Sequence, residues 1–242
     1  MSDEKVKIHK IIDPSIRIVK NFAPPLAAAL QQLALINPAF ALLIGTMSGI
    51  LGYYSDYAGS KAINLIEELI KHQDRFLSEI VESDKFKAVF FKMLGDYINE
   101  GNEQRRLYIK NYIINMASGK FHEFDEHTRL VTVLNSISLR EVELLSYWKD
   151  DGVVEQYYST NPQARNITID VSELDNILRN SGLQPISSGY QGKSETNQLL
   201  LQLGYKNLLY TLGADNFGSG VEAKTKGITD FGKTFLGFIL SD

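Results

Sequence analysis

Residues 194–240 read SETNQLLLQLGYKNLLYTLGADNFGSGVEAKTKGITDFGKTFLGFIL. Ser194 is placed to cap a helix running to Leu203, with Gly204 as its stop signal. Leu208, Leu209 and Tyr210 read as a strand. A glycine-rich reversal, GADNFGSGVEAKTKG, follows. Ile228 re-enters the fold and Thr229 caps a last amphipathic helix carrying Phe231, Phe235, Leu236 and Ile239. Helix, strand, glycine-rich loop, strand, helix makes this end of the chain α with a small β wing.

Upstream, Ser138-Leu-Arg-Glu141 has the spacing of a capping box and opens a helix through Trp148, with Val142, Leu145 and Trp148 facing inward. Val153 to Arg165 is polar, contains Asn161-Pro162, and reads as an excursion from the core. Ser172 is placed to cap a short helix over Glu173 to Arg179, closed by Gly182. The order of elements from 138 to 240 resembles a winged helix-turn-helix domain. Its closing text, GITDFGKTFLGFIL, is similar to the strand-to-helix ending of that superfamily, where a Thr caps the final helix and a Gly follows in its first turn. The resemblance implies that SETNQLLLQLGYKN is the recognition helix.

The middle of the chain is ordinary amphipathic helix. Ile63, Ile66, Ile70, Leu77 and Ile80 recur at helical spacing, with a wider gap at His72 to Arg75. Ser83 caps the next helix, bearing Phe86, Val89, Phe90, Met93, Leu94 and Tyr97. Asn102 caps a third, with Leu107, Ile109, Tyr112, Ile113 and Met116, ending near Gly119. A fourth, about Glu126 to Ile137, buries Leu130, Val133 and Leu134. Arg105, Arg106 and Lys110 form a basic group with Glu100 and Glu103 beside it, the pattern of a solvated face. His122-Glu-Phe-Asp-Glu-His127 holds metal-ligand types, yet two His five apart lie about 140° around a helix and not on one face. No metal site is expected there.

From Asn21 to Ser55 the chain runs thirty-five residues without a charge. Pro38 divides this run into two pieces, Pro25–Ile36 and about Pro38–Tyr54; the second, about 17 residues, is at the low edge of a spanning helix, and a buried hairpin or oligomer interface is favoured over membrane contact. Gly45, Gly49 and Gly52 share a face of the second piece, a small-residue surface for close helix packing or membrane contact. The whole layout joins an apolar Gly-rich start, a helical middle with Glu103, Arg105 and Arg106, and the 138–240 end. It resembles a loose group of bacterial and phage-linked proteins, some associated with abortive phage infection.

Three segments are therefore expected: a helical hairpin over 1–58, a helical domain over 59–137 and a winged-helix-like domain over 138–242. The chain has 242 residues, no cysteine and a net charge of −4. Thiolate chemistry is excluded, and the start lacks the order of a secretory signal, so a cytoplasmic and at most membrane-associated protein is expected. No phosphate loop, GxSxG or HExxH occurs, so neither catalysis nor a cofactor is expected. In a winged helix Asn197, Gln198 and Gln202 could read bases, while Lys193, Lys206, Lys224 and Lys226 could touch phosphates. Against this, residues 138–242 hold nine Lys/Arg and thirteen Asp/Glu, unlike the basic face of a DNA reader. The leading expectation is an adaptor or regulator that docks a protein partner or a second copy. The alternatives are a DNA-binding regulator and a membrane-active effector inserting residues 25–54.

Overall fold

The structure is a computed structural model that describes residues 56–119, 124–166, 168–186, 189–212 and 223–240, together with Pro38 and Ala41. It is mainly helical, with a small antiparallel sheet near the C-terminus. The chain divides into two compact units, Met1–Thr128 and Arg129–Asp242.

In the first unit α1 (Asp56–Lys71), a 3₁₀ turn (Gln73–Arg75), α2 (Ser78–Val81), α3 (Asp84–Asn99) and α4 (Glu103–Ala117) lead into α5 (Phe124–Ser136), within which the division falls. The two long inner helices begin where side chains can satisfy orphan amides. The Ser83 hydroxyl accepts from the Phe86 N–H at 3.1 Å, and Asn102 Oδ1 accepts from the Arg105 N–H at 3.1 Å. α4 is buried nearly all round from Tyr108 to Ala117, so it is the central element and not a surface helix with one wet face. Leu107, expected in its core set, is instead exposed at its first turns. The stripe expected over α1 is also shifted. Ala62, Leu65, Ile66 and Leu69 are buried, whereas Ile63 and Ile70 are half-buried and Leu77 is exposed. Both sets have helical spacing, and the helix stops at Lys71, before Leu77.

In the second unit the remainder of α5 is followed by α6 (Leu139–Ser146), α7 (Val153–Thr160), a 3₁₀ turn (Pro162–Asn166), α8 (Val171–Asn180), α9 (Gly189–Tyr205), β1 (Leu209–Leu212), β2 (Lys224–Ile228) and α10 (Asp230–Ile239). The capping box forms as read: Glu141 N–H donates to the Ser138 hydroxyl at 3.2 Å, and Ser138 N–H to Glu141 Oε2 at 2.7 Å. Val142, Leu145 and Trp148 are buried behind it. The segment read as an excursion is part of the core. It folds as α7, with Val153, Val154 and Tyr158 buried, because the Val154 N–H donates to the Tyr147 carbonyl at 2.9 Å and turns the chain back. The cap of α8 is Asp170, whose Oδ1 accepts from Glu173 N–H at 2.9 Å, and not Ser172.

Two boundaries of α9 differ from the reading. The helix starts at Gly189, before Ser194, and passes through Gly204. Its stop is Asn207, which takes a positive φ of 59°. The Leu208 N–H reaches back to the Leu203 carbonyl and the Asn207 N–H to that of Gly204, each at 2.9 Å, which closes a Schellman-type end with Asn in glycine's usual place. Gly204 answers a packing need, since a Cβ there would fall on the Thr211 side chain.

β1 and β2 pair Leu209 with Ile228, Thr211 with Thr225 and Leu212 with Lys224, with a bulge between Leu209 and Thr211. On its other side Thr225 exchanges backbone hydrogen bonds with Ile169, at 2.8 and 2.9 Å, so β2 is flanked on both edges. The Thr229 hydroxyl accepts from Gly232 N–H at 2.8 Å and donates to the Asn207 carbonyl at 2.7 Å. One side chain thus caps α10 and ties it to the end of α9.

Candidate functional site

The residues singled out along α9 and the hairpin all lie in the second unit, but they do not form one set. α9 buries Thr196, Leu200 and Leu203. At 100° per residue the opposite face carries Ser194, Gln198, Gln202 and Tyr205, all exposed. Its members are neutral, and Glu195, exposed and paired with Arg140, borders it beside Gln202. Tyr205, at 87% exposure, is the most exposed large apolar side chain among the described residues. Its exposure has no mark in the sequence, since an aromatic next to the Leu199–Leu203 run reads equally as core.

Two of the candidate contacts face the protein's own interior. Lys206 Nζ donates to Glu141 Oε1, and the Glu141 carboxylate is 2% exposed. Asn197 Oδ1 accepts from the Ala223 N–H and fastens the start of β2 to α9. A phosphate competing for Lys206 would have to leave a buried carboxylate uncompensated, at several kcal/mol. Lys193 is exposed and donates to the Ser172 hydroxyl at 3.2 Å. Lys224 and Lys226 are exposed on β2, where they alternate with buried Thr225 and Gly227. The register sets Tyr210, 55% exposed, on that same outer face beside the bulge. The hairpin therefore offers two cations and an aromatic ring, while α9 offers amides, a hydroxyl and a ring.

In the first unit, the basic group is built into the structure. Arg105 Nε donates to Glu100 Oε2 at 2.8 Å, Arg106 donates to the Glu100 carbonyl at 3.1 Å, and Lys110 meets Glu68 at 3.0 Å. Lys61, itself buried, donates to the Ile98 and Glu100 carbonyls at 3.0 and 2.8 Å, neutralising the end of α3 where the helix dipole is negative. Hydrogen bonds from Lys71 and Lys110 hold the Glu68 carboxyl below its ordinary value. At Glu100 burial works upward, but the Asn102 amide and the Arg105 guanidinium outweigh it and the net shift is down. His127 is buried, its Nδ1 2.9 Å from the Tyr112 hydroxyl, and burial pushes that phenol well above its ordinary range, with Glu126 adding to it. Among the described residues no three His, Cys, Asp or Glu side chains gather as metal ligands. His122 and the glycines at 45, 49 and 52 lie outside the described residues. No described helix is long and apolar enough to cross a membrane.

No family model, curated protein or solved structure matches the chain.

Proposed function

We propose that residues 138–240 are a winged-helix-like module and that the protein is a non-catalytic adaptor which docks a protein partner through the exposed face of α9. The module reading is supported by the order of elements from α6 to α10 and by β2 lying between β1 and the Ile169 bridge. The docking reading rests on one observation. The solvent face of α9 carries a nearly bare tyrosine among neutral Ser194, Gln198 and Gln202, with Glu195 at its border. Exposed Tyr is the kind of anchor that protein interfaces use, giving large contact area with a polar tip. Neutral amides around it can pair with either donors or acceptors of a partner. By analogy of layout alone, phage defence is the setting we propose.

A photo-crosslinking amino acid in place of Gln198, in the full chain in its native cells, tests this. A discrete protein adduct that disappears with Tyr205→Ala is expected. An adduct with nucleic acid, or none with protein, would sink the reading. The second reading is a DNA-binding regulator, in which exposed Lys224 and Lys226 would lay the hairpin along the phosphate backbone. A membrane-active role for residues 25–54 remains a proposal that liposome co-sedimentation decides.

A further inference from the structure

Among the described residues the hairpin face carries two cations that pair with no carboxylate. The second unit contains ten Lys and Arg. Arg140, Lys149, Arg165, Lys206 and Lys233 pair with carboxylates, and the Arg129 guanidinium sits 4.5 Å over the Phe231 ring. Lys193 donates to Ser172, and Arg179 stands in the last turn of α8, where a cation suits the dipole. Lys224 and Lys226 make no ion pair with a described residue, although the chain as a whole is negative. They occupy alternate positions of one strand, so their side chains leave the same face about 7 Å apart. Tyr210 flanks them across the ladder.

Building on the docking role proposed above, we infer that this face takes an extended acidic segment of the protein partner, with carboxylates at alternate residues. The repeat carries the inference. An extended peptide also presents every second side chain on one face, with the same spacing of about 7 Å. Two such carboxylates meet both ammonium groups without distortion, and the Tyr210 ring, across the ladder beside Lys226, covers the stem at that end. Nucleic acid fits less well. Two lysines neutralise two phosphates, which supplies a salt slope of only about −2 and correspondingly little affinity.

The test uses the full chain and two fluorescein-labelled peptides of equal Glu and Thr content, one strictly alternating and one in blocks, with an oligothymidine of equal length beside them. Fluorescence anisotropy is expected to show the alternating peptide binding more tightly than the blocked one. Lys224→Glu and Lys226→Glu should each weaken it by about fivefold, the scale of one cross-strand charge pair. Tyr210→Ala should weaken it as well, and Lys193→Glu should not. Lys224→Gln and Lys226→Gln repeat the measurement without charge reversal, in case the Glu variants disturb the hairpin. Equal binding of the two peptides, indifference to either lysine, or tighter binding of oligothymidine with the same lysine dependence would overturn the inference. The adduct from position 198 does not depend on the hairpin, so the docking reading can survive that result.

Discussion

The Glu141 carboxylate closes the N-terminus of α6 with one oxygen and compensates Lys206 with the other. Removing the lysine leaves the charge buried and unpaired, so Lys206→Met is expected to cost about 3 kcal/mol. A Glu141→Gln partner change should recover part of that loss, since the amide oxygen still accepts from the Ser138 N–H and no charge is stranded. Urea unfolding followed by Trp148 emission reads this directly, because the only tryptophan is fully buried in the same unit. If Lys206→Met unfolded at the same urea concentration as the parent, the pair would be ornamental and Lys206 would return to the list of partner contacts. At Tyr112 the effect is smaller. Tyr112→Phe keeps the ring in the core and removes the hydroxyl that reaches His127, for an expected loss of about 1 kcal/mol. Thermal unfolding of the two proteins side by side measures it.

At the scale of elements, α1, α3 and α4 are held by buried apolar faces and by a set of charges around the α3–α4 turn. The folded carboxyls of Glu68 and Glu100 titrate below the ordinary 4.5. A lowered folded value means that their contribution is present above about pH 4.5 and is lost as pH falls through the lowered values. Glu68→Gln and Glu100→Gln are therefore expected to lower stability at neutral pH and to flatten the acid limb, with variant and parent converging at low pH. An unchanged acid limb in both variants would show that other carboxylates govern it. What was legible here followed the strength of the local signal. Ser83, Asn102, Ser138 and Thr229 cap their helices as their spacing requires, because a capping hydroxyl or amide acts within three residues. The misread boundaries depended on distant contacts. Gly204 reads as a stop because nothing in sequence reveals Thr211 lying against it, and α7 has no local signature because its burial depends on a chain reversal at Tyr147. The same holds for the candidate site. The exposed hairpin lysines followed from strand alternation, whereas the inward pairing of Lys206 spans sixty-five residues and had no local mark.

For the whole molecule, charge separates the protein-docking reading from the DNA-binding one. The chain carries a net −4, and the second unit holds ten cations against thirteen carboxylates. Of the cations near α9 and the hairpin, Lys193, Lys224 and Lys226 are exposed, while Lys206 is bound to Glu141. Each phosphate neutralised adds about −0.9 to the slope of log affinity against log salt concentration, so these three supply at most about −3. Dedicated DNA readers that make six to ten phosphate contacts fall far more steeply. Duplex binding by the full chain, titrated by anisotropy across a salt series, is accordingly expected to be faint, with a shallow slope. Replacing Lys224 and Lys226 together by Gln should remove about two units of that slope. A slope of −6 or steeper that collapsed with this double change would mean that the hairpin follows a phosphate backbone. The face of α9 with Gln198 and Gln202 would then be the surface that meets bases, and Tyr205 would lie against DNA instead of a protein.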